Sequence, residues 1–461
     1  MQTMAQFMEH KEKLKMPPMR LTSYAFVMLF TILISASMNL HAQKNWTLEE
    51  CIDYALEHNI NVKMQKVGAD RASNLHKQSK LNLLPSASAG LSHSYNFGKS
   101  LNEDTYEYVN QQFQYGGVRA ESSLNLFDGR ENINTIKMRR YEMLAQLEQI
   151  EEARYDVTMN VVTYYLMVLS ATEQKEIREE QLANTRDKIQ QIEEQIRVGN
   201  KAKGELLEIK AQEASEKALL TRAKNELSMA YVDLAQLMNL DSVENFRVKV
   251  PEELNVTKDQ PIKTTSAVYQ EAVKDFPSIQ KAEYLLESSK KYLKVTKGAF
   301  FPELSMSGSI SSYYTELAPT SYWKQLRDIN VQAGIGLSLR IPLFNKFNKF
   351  TRVSNARLDV QDNQLRLQEQ KQNLYKSIQK ARNEAIAAFE NYQANLESVE
   401  SYKEAFKYAE ERYNVGLVNI VQYRIAKNDL SVARSNAASA KYNYIFKLKI
   451  LEFYMGKALK I

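Results

Sequence analysis

Leu126-Phe-Asp-Gly129 and Leu343-Phe-Asn-Lys346 stand 217 residues apart, and each lies between a stretch of alternating apolar and polar residues and a long proline-free stretch with helical patterning. The same offset relates Ala55 to Ala272, Pro85 to Pro302, Val198-Gly199 to Val415-Gly416, and Ala223-Lys224 to Ala440-Lys441. One offset held over anchors this far apart, with no insertion needed, marks a single structural unit written twice. The chain therefore divides into a first repeat at 43–240, a connector at 241–264 carrying Pro251 and Pro261, and a second repeat at 265–461.

Working outward from the anchors, each repeat opens with a helical pattern, from 48 to about 81 and from 265 to about 299. Ile52, Ala55, Leu56 and Ile60 recur there at helical spacing. Pro85 and Pro302 stop these helices and lead into extended segments. At about 86–97, Ala87, Ala89, Leu91, Tyr95 and Phe97 alternate with serines, Gly90 and Asn96. At 303–314, Leu304, Met306 and Ile310 alternate with Ser305, Ser307, Ser309 and Ser311. A second strand follows in each repeat. At about 117–127, Val118, Ala120, Leu124 and Leu126 stand against Arg119, Glu121, Ser123 and Asn125. At 331–343, Val331, Ala333, Ile335, Leu337, Leu339, Ile341 and Leu343 stand against Gln332, Gly334, Gly336, Ser338 and Arg340.

Strands of about ten residues with one greasy and one wet face are a membrane-barrel signature, although a soluble sheet packed on helices gives the same alternation. Four strands cannot close a barrel, since the smallest membrane barrels need about eight, so the membrane reading requires several copies of the chain. The polar, aromatic-rich segments at 99–115 and 314–328, the latter with Trp323, suit outward-facing loop tips.

Beyond the anchors, helical patterning runs unbroken to about Arg197 and Tyr413. Roughly 67 residues at 1.5 Å each reach about 100 Å, which a globular domain does not need. Heptad rows run along both helices: Val161, Val168, Lys175, Leu182, Ile189, Ile196 in the first, and Ile378, Ala385, Tyr392, Val399, Phe406, Tyr413 in the second. Such rows indicate coiled-coil packing along narrow seams. Each helix ends at Val198-Gly199 or Val415-Gly416 and then runs back to about 240 or 451, which makes two helical hairpins with tight glycine tips.

The N-terminus reads as a signal peptide at 1–42. Lys11, Lys13, Lys15 and Arg20 precede the apolar run from Tyr24 to Ile34, and Leu40-His41-Ala42 offers the cleavage point. The net charge is +6; four of the Lys/Arg and two of the Asp/Glu lie in the leader, so the remainder carries +4. That balance, with both signs interleaved, gives no sign of a nucleic-acid binder. Cys51 stands alone, and His58, His76 and His93 lack metal-ligand spacing, so neither metal nor cofactor is expected.

The duplicated order of helix, proline, strand, loop, strand, Leu-Phe-Asp/Asn, long helix, Val-Gly tip and long helix resembles the TolC-type outer-membrane efflux proteins. Trp46-Thr-Leu-Glu-Glu-Cys-Ile-Asp-Tyr-Ala-Leu-Glu-His-Asn59 is similar to that family's opening helix, and Asn414-Val-Gly-Leu-Val-Asn-Ile420 to its tip.

The resemblance implies a mainly α fold with membrane β. A homotrimer would close a 12-stranded β-barrel in outer-membrane lipid and continue it as a periplasmic α-barrel. It implies the passive exit duct of a tripartite efflux or secretion system, gated at the periplasmic tips. Its partners would be a periplasmic adaptor (membrane fusion) protein and an inner-membrane RND or ABC pump, with type I secretion as one variant. The implied tip contacts are Val198, Gly199, Val415 and Gly416, with Arg197 and Arg412 beside them. Family members often place aspartates six and nine residues after the tip glycine. Glu205 and Glu208 hold those positions in the first repeat but Gln422 and Ile425 in the second, so Glu205, Glu208 and Gln422 are the candidate pore constriction.

No phosphate-binding glycine loop, nucleophile elbow or HExxH motif argues for an enzyme. An exported coiled-coil scaffold or adhesion protein without a channel is the rival reading, because long heptads fit both.

Overall fold

The computed structural model describes residues 45–101, 106–251 and 263–456. The leader, the strand-loop tip at 102–105, most of the connector and the last five residues lie outside the described residues.

The first repeat runs β1 (Asn45–Trp46), α1 (Leu48–His58), α2 (Ile60–Leu81), β2 (Ser86–Leu101), β3 (Tyr108–Phe127), α3 (Glu131–Arg197) and α4 (Lys203–Met238). After β4 (Arg247–Val248), the second runs α5 (Thr265–Asp275), α6 (Pro277–Gly298), β5 (Glu303–Thr315), a short α7 (Tyr322–Lys324) passing into a π-turn (Gln325–Ile329), β6 (Gln332–Arg340), α8 (Asn348–Asn414) and α9 (Ile420–Tyr454).

Local chemistry sets the boundaries. Thr47 and Glu50 form a reciprocal capping box at the start of α1. The opening helix expected to run unbroken is split in both repeats, at positions again 217 apart. In the first, the Asn59 side chain accepts from the amides of Asn61 and Val62 and starts a new helix. In the second, Pro277 occupies the first helical position and leaves Phe276 extended. Both α3 and α8 are 67 residues long, so each spans about 100 Å.

β2, β3, β5 and β6 form one antiparallel sheet in that order, leaving β2 and β6 as open edges among the described residues. Ala89, Ala120, Ile310 and Ala333 stand side by side across it, as do Met306, Leu124 and Leu337, so the apolar residues of all four strands share one face. The other face carries the serines, with Ser88 donating to Glu121 and Arg119 paired to Glu121.

Three details depart from the expected strands. β2 and β3 reach further, to Leu101 and back to Tyr108, because the polar residues at 110–114 pair in register with Tyr95, Phe97 and their neighbours. Leu126 does not join the apolar face. A bulge between Asn125 and Phe127 skips it and sets Phe127 opposite Leu304. β6 ends at Arg340, two residues before Pro342, which has no amide to offer a ladder.

The sheet meets the helices at a tight collar. Gly129 has φ +65°, and a Cβ there would collide with the Gly298 carbonyl of α6, so only glycine fits. The main core lies below, where α1, α3, α4, β1 and β4 bury Cys51, Val161, Tyr165, Leu169 and Leu234. The Tyr165 hydroxyl donates to the Lys249 carbonyl at 2.7 Å, tying the two short strands to α3. A smaller core in the second repeat gathers Val268, Ile279, Leu374, Ile378 and Leu451.

Candidate functional site

The site lies where the two hairpins meet at their tips. Both tips close in the same way. Gly199 (φ +82°) and Gly416 (φ +79°) take the left-handed position just past each helix. The amide of Asn200 donates to the Gln195 carbonyl, and that of Leu417 to the Arg412 carbonyl, each at 2.8 Å. Val198 and Val415 project from these turns, Val415 at 72% exposure, with Leu417 beside it. Arg197 pairs with Glu194 on its own helix, and Arg412 lies 5.5 Å over the Tyr408 ring. Neither arginine latches one hairpin to the other in this geometry, and both guanidinium groups face outward with the valines.

Behind the turns, Ile189, Ile192, Ile209, Ile420, Tyr413 and Tyr423 form a separate small core shared by both hairpins. The heptad rows end here; Val161, Val168, Leu182, Ile189, Ile378, Ala385 and Tyr413 are buried along them, while Ile196, Tyr392, Val399 and Phe406 are only partly covered. Lys175, the one charged residue in a row, turns to Glu179 at 3.1 Å.

Beside this apolar contact, a ladder of polar groups joins the hairpins from the middle of α3 to the tips. Glu173 pairs with Lys441; Gln174 donates to the Ser435 carbonyl at 2.6 Å; Glu180 pairs with Arg434 at 3.1 Å. Lower down, Lys427 from α9 is buried with Glu216 from α4, the charges 3.7 Å apart and Glu216 only 1% exposed. Lys427 also donates to Thr185 and to the Gln181 carbonyl, while Glu216 accepts from Thr185, Gln181 and Gln212. Burial pulls the Lys427 ammonium below its ordinary pKa, and Glu216 only partly offsets this.

At the tip itself the two carboxylates expected at a constriction are held by the second hairpin. Glu205 accepts from the Tyr413 hydroxyl at 2.6 Å and from Lys201 at 2.9 Å. The Lys201 ammonium sits 3.6 Å above the Tyr413 ring. Glu208 pairs with Arg424. Burial alone would raise the Glu205 pKa, but the bonds from Tyr413 and Lys201 and the nearby ammonium outweigh it and hold the carboxyl below its ordinary range. The Tyr413 hydroxyl is pushed up, first by burial and then by its bond to Glu205, so it stays a donor at any ordinary pH. Lys188 adds a bond to Asn414 at 3.0 Å and lies 5.2 Å from both tyrosine rings. Gln422 sits on the exposed first turn of α9, its amide capped by Asn419 at 3.0 Å.

The structure thus brings Glu205 and Glu208 together with residues that sequence reading left aside: Tyr413, Lys201, Arg424, Lys427 and Glu216. Tyr413 ends a row that also carries Tyr392, so its hydroxyl gave no distinct signal, and the others look like ordinary charges on a helix surface. The two hairpins are thus joined at their tips by a small apolar core together with hydrogen bonds and ion pairs.

Comparison with known proteins fits this architecture. Escherichia coli outer membrane protein TolC is 23% identical over 428 residues, covering 86% of this chain and 80% of that protein. Escherichia coli cation efflux system protein CusC is 22% identical over 339 residues, covering 71% and 68%. The matches span from about two thirds to about four fifths of the curated relatives' own length. A crystal structure of CusC superposes with a TM-score of 0.76 at 17% identity, covering 91% of this chain and 96% of that one. The family model for outer membrane efflux proteins matches residues 51–240 and 268–457, one match in each half, and the chain therefore belongs to the outer membrane efflux protein family.

Proposed function

We propose that the chain is one subunit of an outer-membrane exit duct. The observation that carries this is the four-stranded sheet with two open edges and an uncovered apolar face, continuous with two 67-residue helices. Leu91, Ile335, Leu337 and Leu339 project from that face into the surroundings. An uncovered face of this size is unfavourable in water and suited to lipid, while open edges in lipid would leave backbone groups unpaired.

Pairing β6 of one copy with β2 of the next removes both edges. Two copies give eight strands, an interior that side chains fill; three give twelve and a water-filled bore. A homotrimer is the smallest closed assembly that conducts. Its bore is lined by the serine-rich face, and its apolar band is bounded by two aromatic groups. From Leu304 to Tyr314 is ten residues, which at ~3.4 Å each and a ~40° tilt gives a band ~26 Å tall, the height of an outer-membrane barrel's apolar belt. Tyr95, Phe97 and Tyr314 mark its far rim; Phe300, Phe301, Phe344, Phe347 and Phe350 mark the rim beside the helices.

The helices then form a tunnel about 100 Å long through the periplasm, and the leader at 1–42 supplies export. At the tips, Val198, Gly199, Val415, Gly416, Arg197 and Arg412 present an exposed surface for a periplasmic adaptor, behind which an RND or ABC pump supplies the energy. The duct itself is a passive conduit. Opening is the parting of the hairpins at the Glu205–Tyr413 and Glu208–Arg424 contacts, with Gln422 beside them at the entrance. Once the fastenings are released, those carboxylates face the pore as a cation-favouring ring.

The test is to express the chain with its leader, isolate outer membranes and run the extracted protein unheated beside a crosslinked sample. A trimer in the outer-membrane fraction supports the reading. A soluble monomer or dimer would sink it and favour an exported scaffold.

A further inference from the structure

The connection between β5 and β6 does not project away from the sheet; it folds back over the sheet's apolar side. Tyr314 shares that side with Ile310 by strand alternation, and the Tyr322 ring packs against it at a tilt, with ring centroids 4.7 Å apart. Leu326 borders a shallow hollow with Leu91, Val118, Ile310 and Val331 on the same side. The segment is pinned there by Gln325, which is fully buried. Its side-chain oxygen accepts from the Thr315 amide at 2.9 Å, and its side-chain nitrogen donates to the carbonyls of Thr315 and Thr320 at 3.0 and 2.8 Å. Asn330 adds a bond to the Tyr313 carbonyl at 2.8 Å. A buried amide satisfied on three sides fixes a rigid strap.

On this strap Trp323 is 81% exposed and Ile329 is exposed beside it. A rigid, ordered segment that holds an indole outward, at the aromatic rim of a face already lacking a cover, calls for an apolar surface to receive it. Lys324 and Arg327 project from the same turn, with Asp328 3.4 Å from Arg327.

We propose that the strap at 321–331 is an interfacial anchor for the lipid surface of the outer leaflet. Trp323 and Ile329 enter the boundary between headgroups and acyl chains, and Lys324 and Arg327 meet the phosphates above. The proposal rests on the membrane-barrel reading and adds to it a specific lipid contact outside the strands. The chemistry fits: amphipathic segments with Trp on one side and cations on the other lie in this boundary layer, and Trp is a favoured interfacial residue because its ring is apolar while its N–H seeks water.

Trp46 and Trp323 are the two tryptophans of the chain, so W46F leaves Trp323 as the sole reporter. The purified W46F protein is inserted into phosphatidylcholine vesicles containing lipid brominated either near the headgroup or near the chain end. Headgroup-proximal bromine should quench Trp323 at least twofold more than chain-end bromine, and aqueous iodide should quench it weakly. In vesicles enriched in phosphatidylglycerol, K324E/R327E should shift its emission to the red. Strong iodide quenching without lipid quenching, in protein that still runs as a heat-sensitive trimer, overturns the anchor and leaves the barrel standing. Protein that never forms such a trimer overturns the barrel and the anchor together.

Discussion

Replacing Tyr413 by Phe isolates the fastening at the tip. The ring is 2% exposed among Ile189, Ile209 and Tyr423, so a phenyl group keeps the packing and removes only the hydroxyl that donates to Glu205. A hydrogen bond to a charged acceptor contributes about 1.5–3 kcal/mol. Glu205 is partly exposed and keeps Lys201, so the lower end of that range applies, about 1.5 kcal/mol. That is roughly tenfold in the open-to-closed ratio for each protomer. If the three fastenings of a trimer act independently, the total approaches ~10³.

Planar-bilayer recordings of Y413F should therefore show longer open times or higher resting conductance. Adding Glu205→Gln should then change little further, because the bond it would break is already gone. Unchanged gating in a trimer of normal heat resistance would refute the role of this contact.

Acid should act on the same bond. Glu205 has a depressed pKa, so its contribution is present above the ordinary carboxylate range and is lost as pH falls through the depressed value. Resting conductance should rise reversibly once pH falls below the ordinary carboxylate range, and Y413F should flatten that profile. At the buried pair, Lys427→Met strands Glu216 without its cation and should cost about 3–5 kcal/mol in thermal unfolding; the double change with Glu216→Leu should recover most of it. Gly416→Val or Gly199→Val forces a β-branched residue into left-handed φ at about 1–2 kcal/mol. Open space around each position confines the damage to the turn, so adaptor-dependent efflux should fall while membrane insertion persists.

Much of the fold was legible because it is repeated. The offset of 217 aligns strands, collar and tips, and the glycines at 199 and 416 adopt the left-handed turn their position demanded. What stayed hidden depended on single side chains or distant partners. Asn59 breaks a helix by folding its side chain onto two amides, which a 3.6-residue period does not report. Leu126 leaves the apolar face through a bulge that strict alternation cannot show. The strand extensions at 98–101 and 108–116 pair beyond the apolar band, and the second carries Gln111, Gln112 and Gln114, so polarity disguised them as loop. At the tip, Glu205 and Glu208 stood out as acids, but Tyr413 lies 208 residues from Glu205 in sequence. Only the register between hairpins brings them together.

That register also explains why the two halves are not interchangeable. At the equivalent positions, Glu205 becomes Gln422 and Tyr413 becomes Ile196; Glu208 becomes Ile425 and Arg424 becomes Leu207; Glu216 becomes Ala433. In the proposed trimer the six junctions between hairpins then alternate. Three, within protomers, hold Glu205 to Tyr413 and Glu208 to Arg424. The other three, between protomers, set Gln422 against Ile196 and Ile425 against Leu207, with no charge to fasten them. A polar contact strengthened at one junction and absent at the next makes opening a matter of three bonds rather than six. The exchange Ile196→Tyr with Gln422→Glu would copy the fastening into the remaining junctions, adding about 1.5 kcal/mol at each by the same reasoning. It should lower resting conductance and reverse the leak of Y413F. If the double variant forms trimers yet leaves Y413F channels as open as before, the junctions do not share one geometry, and the alternation drawn from the repeat is wrong.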